Sequence, residues 1–281
     1  MEIIDSESEL KKRIHTLTNA GKIIGFVPTM GNLHEGHISL IKIALENSDV
    51  IVCSIYVNPA QFNDKKDFEL YPKSLSNDLK VLKKSGCNIV FTPNNNTIYP
   101  NGLEHVTYNI GQLGNVMEGK YRKGHFNGVI QVVKRLFDIV QPDVAVFGKK
   151  DFQQLTVIIW MVGHFNLDVK IISAPIIRDP DGVAMSSRNS RLSRSDREVA
   201  KELSKTLFFI RDNYKNIPIL ELKSNAIDQL NNVNGLELEY LEIADIFTLQ
   251  PISKIDYTRE TGVFVAAKVG QIRLIDNVGL F

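Results

Sequence analysis

Cysteine is nearly missing from this chain. Only Cys53 and Cys87 occur among 281 residues, without CxxC spacing, which argues against a disulfide framework and against a cysteine-built metal site. Cys53 lies in a strand-like run, and both thiols are expected to be reduced and buried. No apolar run approaches the roughly 20 residues that a membrane-spanning helix needs. The first twelve residues are acidic and then basic instead of apolar, unlike a signal peptide, so a cytoplasmic protein is expected. An excess of one charge is also absent: 33 Lys and Arg face 32 Asp and Glu, a formal net charge of +1. That balance gives no electrostatic footprint for nucleic acid or an anionic membrane. There is no internal repeat and no low-complexity tract.

What remains is an ordinary globular composition, 43% hydrophobic and 23% charged, in a chain long enough for one large domain or two smaller ones. Leu10, Ile14 and Leu17 form one helical face that Gly21 can stop. Strands are predicted over residues 23–27, 50–57, 89–91, 144–147, 169–173 and 176–177. Helical spacing separates them at Ile38, Ile41 and Leu45, at Leu75, Leu79 and Leu82, from Val129 to Val140, and from Gly148 to about Phe165. Residues 94–119 are polar and rich in turn residues, and they resist assignment. Strands alternating with helices imply an α/β fold with a parallel sheet covered on both faces. After Arg178 the pattern changes to a helix pair, then to alternating strands at 236–243, 263–268 and 272–275. The predicted division is 1–175, a Rossmann-like parallel-sheet domain, and 176–281, a smaller α+β domain.

The stretch Val27-Pro28-Thr29-Met30-Gly31-Asn32-Leu33-His34-Glu35-Gly36-His37 joins the first buried strand to a helix. If the helix starts near Leu33 or His34, both imidazoles share a face of its first turn. Backbone N–H groups and the positive end of the helix dipole would point the same way, making an anion site with two titratable donors. Zinc is a rival for the two histidines, but no third ligand stands at a recognisable spacing.

Other stretches converge on the same rim, because ligands of open parallel sheets sit beyond the carboxyl ends of the strands. Asn58-Pro59-Ala60-Gln61-Phe62 follows the second of these strands, and neutral amides suit hydroxyl or carboxylate recognition. Gly148-Lys149-Lys150-Asp151 follows another and opens a helix, with Gln154 four residues beyond Lys150 on the same helical face. Gly182-Val183-Ala184-Met185-Ser186-Ser187-Arg188-Asn189 is small, hydroxylated and basic; it reads as a mobile polyphosphate clamp or as an interdomain linker. Residues 119–128, with Arg122 and His125, are the least specific, an anion contact or a plain surface loop.

In this order, segments 28–37, 56–62, 124–137, 148–155 and 181–189, with a weaker tail at Arg273-Leu274-Ile275-Asp276-Asn277, resemble the pantoate–β-alanine ligase family. They span nearly the whole chain. The HxGH element alone is shared with the wider nucleotidyltransferase and class I aminoacyl-tRNA synthetase superfamily. The resemblance implies a two-step reaction. ATP and pantoate give pantoyl adenylate and pyrophosphate; β-alanine then displaces AMP. It also implies Mg²⁺ with the ATP, a C-terminal domain acting as a lid, and a homodimer.

Carried over residue by residue, the resemblance assigns ATP binding to Met30, Gly31, Asn32, Leu33, His34, Glu35, Gly36 and His37, with His37 as proton donor. Gly148, Lys149, Lys150, Asp151, Met185, Ser186, Ser187 and Arg188 are further ATP contacts, as is the Ile177 backbone. Gln61 and Gln154 would bind pantoate, beside Asn58 and His125. Charge that develops on the α-phosphate and pyrophosphate calls for positioning and cationic stabilisation, which His34, His37, Lys150 and Arg188 supply. No metal ligand is singled out. Two positions depart from many relatives: Lys149 stands in place of glutamate, and Lys123 in place of proline. A cytidylyltransferase, a synthetase-like tRNA binder and a non-catalytic nucleotide-binding regulator are the competing readings.

Overall fold

The computed structural model describes residues 1–104 and 106–281. In chain order the first elements are β1 (Glu2–Ile4), α1 (Glu7–Asn19), β2 (Ile24–Thr29), α2 (Glu35–Asn47), β3 (Val50–Ile55), α3 (Lys65–Glu69) and α4 (Leu75–Lys84). Next come β4 (Ile89–Phe91), α5 (Asn95–Ile98), α6 (Met117–Tyr121), α7 (His125–Val140), β5 (Val144–Gly148), α8 (Phe152–His164) and β6 (Lys170–Ala174). The remainder is α9 (Arg194–Asn213), α10 (Ile219–Asn231), β7 (Leu236–Asp245), β8 (Thr261–Val269) and β9 (Ile272–Gly279).

The chain groups into two compact units. The first holds Met1–Ile110, Arg122–Lys149 and Gln154–Pro175; the second holds Gly111–Tyr121, Lys150–Gln153 and Ile176–Phe281. The division is therefore not a single cut.

In the first unit, six strands run parallel in the order β1-β4-β3-β2-β5-β6. Successive side chains on a strand point to opposite faces, and both faces here are covered. Val27, Ile51, Cys53, Val90, Val144 and Val146 pack with Ile41 and Ala44 of α2 and Leu82 of α4. On the other face Phe26 meets Phe137 of α7 edge-on at 6.1 Å, and Phe147 lies against the same ring. Cys53 and Cys87 are buried free thiols, and burial holds both protonated, Cys87 pushed up to about 11.

Several boundaries differ from the sequence reading. β1 (Glu2–Ile4) was not anticipated: its run Glu-Ile-Ile has only two apolar residues and opens on a charged one, unlike the wholly apolar Ile-Val-Phe of β4. The strand predicted at 50–57 ends at Ile55, although the Tyr56 amide still donates to Thr29 O at 3.0 Å. Residues 176–177 are not a sheet strand, since Pro175 has no N–H to continue β6. The last strand extends beyond 275 to Gly279.

In the second unit, β7-β8-β9 form an antiparallel sheet. Leu203, Leu207 and Ile210 of α9 and Leu222, Ala226 and Leu230 of α10 pack on Leu241, Ile243, Val263 and Val265. The opposite face, with Tyr240, Phe264 and Ala266, buries Met117 of α6 and receives Phe152. Glu118 ties α6 down: its carboxylate accepts from both terminal nitrogens of Arg273 (2.8 and 2.7 Å) and from the Tyr240 hydroxyl (2.8 Å). Gln153 bonds the Glu118 amide and the carbonyls of Leu113 and Val116. These bonds explain why 111–121 and 150–153 belong with this unit. The last part of the polar segment left unassigned in sequence, residues 111–119, belongs to a docked 3₁₀ turn and helix.

Candidate active site

The strand order changes direction at β2, which has β3 on one side and β5 on the other. Such a switch point is where open α/β sheets leave a crevice for ligands. The HxGH turn leaves the carboxyl end of β2, and Gly148-Lys149 closes the carboxyl end of β5. Both motifs of the first unit thus stand at the one place that the topology favours.

The turn itself is tightly built. Gly31 (φ 79°) and Asn32 (φ 49°) are left-handed in succession, and a Cβ on Gly31 would lie 3.0 Å from Asp78 Oδ2. Asp78 of α4 is fully buried and accepts the Asn32 amide at 2.9 Å and the Leu33 amide at 2.8 Å. Ser74 Oγ donates to the same carboxylate at 3.0 Å.

α2 starts one residue later than the two histidines need for a shared helical face, with His34 as its N-cap. The two side chains form a reciprocal capping box. Gly36 N–H donates to His34 Nδ1 at 3.1 Å, and His34 N–H donates to His37 Nδ1 at 3.2 Å. The His37 amide turns back to His34 O at 2.8 Å. The ring centroids are 4.1 Å apart. The backbone N–H groups of this stretch are engaged inside the protein: those of 32 and 33 donate to Asp78, and those of 34, 36 and 37 donate within the turn. Because backbone N–H groups are donors without ambiguity, each Nδ1 is an acceptor, and in the neutral ring the hydrogen sits on Nε2.

Beside it, Asn58 is a hub. Its Nδ2 donates to Gln61 Oε1 (3.3 Å) and Gly128 O (3.1 Å), while its Oδ1 accepts from Tyr99 OH (2.7 Å) and the Ala60 amide (3.2 Å). Both donors and both lone pairs of the amide are engaged inside the protein. Burial pushes the Tyr99 phenol up to about 12, against the opposing effect of its bond to Asn58, so it remains a donor. His125, also buried, lies 2.7 Å from Gln61 O through Nδ1, and Arg122 donates to the same carbonyl at 3.2 Å. Gln61 Nε2 in turn donates to the Met30 sulfur. Gly128 is required here by close approach, since a Cβ would come within 2.3 Å of Ala60 O. Met30, Asn58, Gln61 and His125 are thus brought together by direct bonds, with Asn58 and His125 both holding Gln61.

The run after β5 divides. Gly148 and exposed Lys149 stay with the first unit, as does Gln154 on α8, whereas Lys150 and Asp151 belong to the second. Residues 149–151 form a 3₁₀ turn and the α-helix begins at Phe152, so the same-face argument for Lys150 and Gln154 does not hold. In the second unit the Lys150 carbonyl accepts from Asn277 Nδ2 at 3.0 Å.

Residues 177–185 form a small hairpin. Met185 N–H donates to Ile177 O at 2.9 Å, Arg178 pairs with Ala184, and Gly182 (φ 91°) makes the turn. Arg178 is clamped bidentately by the buried Asp276 at 2.6 and 2.9 Å. Ser186 then caps the 3₁₀ turn Ser187–Arg191, accepting from the Arg188 amide. The segment read as a loose linker or clamp has a regular internal hydrogen-bond pattern.

The pantoate–β-alanine ligase family model matches residues 2–279. The chain belongs to the pantoate–β-alanine ligase family. It is accordingly an enzyme, a ligase of pantoate and β-alanine. Pantothenate synthetase of Phocaeicola vulgatus is 44% identical over 279 residues, covering 99% of both chains. That of Bacteroides fragilis is 42% identical over 278 residues, covering 99% of this chain and 98% of its own. Among solved structures, the pantothenate synthetase of Thermus thermophilus superposes with TM-score 0.92 at 35% identity, with 100% of both chains covered. The Francisella tularensis ligase, solved with β-γ ATP and β-alanine, superposes with TM-score 0.83 at 35% identity, covering 100% of this chain and 98% of that one.

Proposed function

We propose that the chain makes pantothenate through an enzyme-bound pantoyl adenylate. A pantoate carboxylate oxygen attacks the α-phosphorus of ATP, the bond to pyrophosphate breaks, and the mixed anhydride stays bound. The free amine of β-alanine then attacks the acyl carbon, loses a proton, and AMP leaves with the bridging oxygen. The reading is supported by family membership, by the neighbour solved with an ATP analogue and β-alanine, and above all by the reciprocal His34–His37 capping box at the switch point.

That box turns both Nδ1 atoms inward, so Nε2 is the donor each ring has for a phosphate oxygen. His37 is assigned as the proton donor and His34 as its partner. Met30, Gly31, Asn32, Leu33, Glu35 and Gly36 shape the nucleotide's seat. Lys150 and Arg188 are assigned to developing phosphate charge, with Gly148, Lys149, Asp151, Ile177, Met185, Ser186 and Ser187 as further nucleotide contacts. Preorganised donors of this kind act without reorganising during the reaction. Gln61 and Gln154 select pantoate, with Asn58 and His125 acting through Gln61.

No group of three His, Cys, Asp or Glu side chains among the described residues is placed to hold a metal ion, so the histidine pair offers no closed zinc site. Mg²⁺ is assigned as the ion that accompanies ATP and shields its phosphates, without a protein ligand named. Residues 1–175 are read as the nucleotide and pantoate domain and 176–281 as a lid. Homodimeric assembly rests on the resemblance, and a cytoplasmic setting on the scarcity of cysteine and its free, buried thiols.

The test is a product balance. One AMP and one pyrophosphate per pantothenate, with ¹⁸O from the pantoate carboxylate recovered in AMP, is expected. ADP and inorganic phosphate would overturn the adenylate.

A further inference from the structure

Asp78 takes no part in the chemistry above, and it is the buried acid nearest to that chemistry by hydrogen bonding. Its two oxygens receive successive amides, Oδ2 from Asn32 and Oδ1 from Leu33, and the helix that carries it begins with Ser74, whose hydroxyl holds Oδ1. Two amides in a row directed at one carboxylate is the geometry by which a turn binds an anion. Here the anion is covalently part of the protein. The Gly31–Asn32 left-handed pair brings those amides round to it, and Asp78 Oδ2 lies 3.0 Å from where a Gly31 Cβ would stand. Leu33 is followed directly by the N-cap His34, so the carboxylate fixes the point from which the capping box starts.

We propose that Asp78 is a positioning residue for adenylation. It acts through the Asn32 and Leu33 amides to hold His34 and His37 in their reciprocal capping box, with both Nδ1 atoms accepting. A corollary is that the turn binds phosphate through imidazole Nε2 donors, not through the amides of residues 32 and 33. The inference rests on the adenylate reading above.

Pantoate-dependent exchange of labelled pyrophosphate into ATP by the unmodified protein tests that reading by itself. With exchange established, Asp78→Asn puts an amide N–H against one of two backbone donors. Exchange is expected to fall on the order of 100-fold, the size of effect that misplaced catalytic groups produce. The KM for pantoate should stay within about twofold of wild type, as expected of a lost interaction confined to the transition state. A folded Asp78→Asn protein exchanging at the wild-type rate would overturn the proposal. So would a loss shared equally between pantoate KM and kcat.

If that variant does not fold, the wild-type protein still decides. In ¹⁵N spectra, a non-hydrolysable ATP analogue should shift the His34 and His37 Nε2 signals and leave the Asn32 and Leu33 amides nearly unmoved. Strong shifts at the two amides, with the imidazoles silent, would overturn it.

Discussion

The turn after β2 and the hairpin at residues 177–185 both present short polar segments assigned to ATP, yet they are anchored by different physics. The turn is held at its backbone amides: Asp78 takes two of them, and the histidine rings cap each other's. The hairpin is held from a side chain: Arg178 is clamped by Asp276, and its guanidinium also lies over the Phe208 ring. A backbone anchor sets the direction of each following residue, whereas a side-chain anchor fixes one point and leaves the remaining shape to the hairpin's own hydrogen bonds. The first suits imidazoles whose donor atoms must be aimed. The second fixes the hairpin that leads into the Ser187–Arg191 turn, in which Arg188 stands.

The contrast can be broken most severely at the ion pair. Arg178→Met leaves the buried Asp276 carboxylate without its partner, and a loss of about 3–5 kcal/mol is expected from urea unfolding. The turn answers in rate instead of stability. His37→Ala should lower pyrophosphate exchange by roughly 10²–10³-fold, as loss of one preorganised donor does, with a circular dichroism spectrum like that of the wild type. Between these lies the Asn58 hub. Gly128→Ala drives a methyl group against Ala60 O, with an expected cost of about 1–3 kcal/mol and a raised KM for pantoate, because Gln61 must shift with its neighbour.

A milder probe concerns the acids flanking the hairpin turn. The hydrogen bond from Arg197 holds the Asp181 carboxyl below its usual range. A depressed folded value adds stability above the unfolded carboxylate range near about 4, and that contribution is lost as pH falls through the folded value. Melting temperature should therefore fall more steeply between pH 5 and pH 3, both taken as approximate limits, in wild type than in Arg197→Met. The smallest effect is expected for Lys149→Glu, an exposed position, with KM for ATP changing less than about threefold at moderate salt and the change shrinking as salt is raised.

The residues assigned to the chemistry stand out in the sequence because they cluster: histidines, glutamines and lysines stand within short runs that follow buried strands. Their anchors were not readable, for a physical reason. Asp78 sits in the run Leu75-Ser76-Asn77-Asp78-Leu79, which looks like the polar side of any amphipathic helix, and its partners lie 45 and 46 residues away. Asp276 is 98 residues from Arg178. The family-like tail at 273–277 was visible as a pattern, but not that Arg273, Asp276 and Asn277 respectively hold Glu118, Arg178 and the Lys150 carbonyl. Glu118 and Gln153 went unnoticed because nothing local distinguishes a buried polar side chain from a solvated one. The sheet was legible from its β-branched runs; its order was not, since strand neighbours are set by packing and not by period.

The position of β2 also has a consequence for synthesis. Its amide at Ile24 bonds to Asp143, 119 residues further along, and its second edge is closed by β5. A ribosome making this chain exposes the strand that leads into the histidine turn long before that edge can be covered. An open edge of Ile, Phe and Val is a template for pairing with other nascent chains. The strand that leads into the histidine turn thus keeps one edge open until about half of the chain has been made, and slow translation between residues 30 and 144 should favour aggregation over folding.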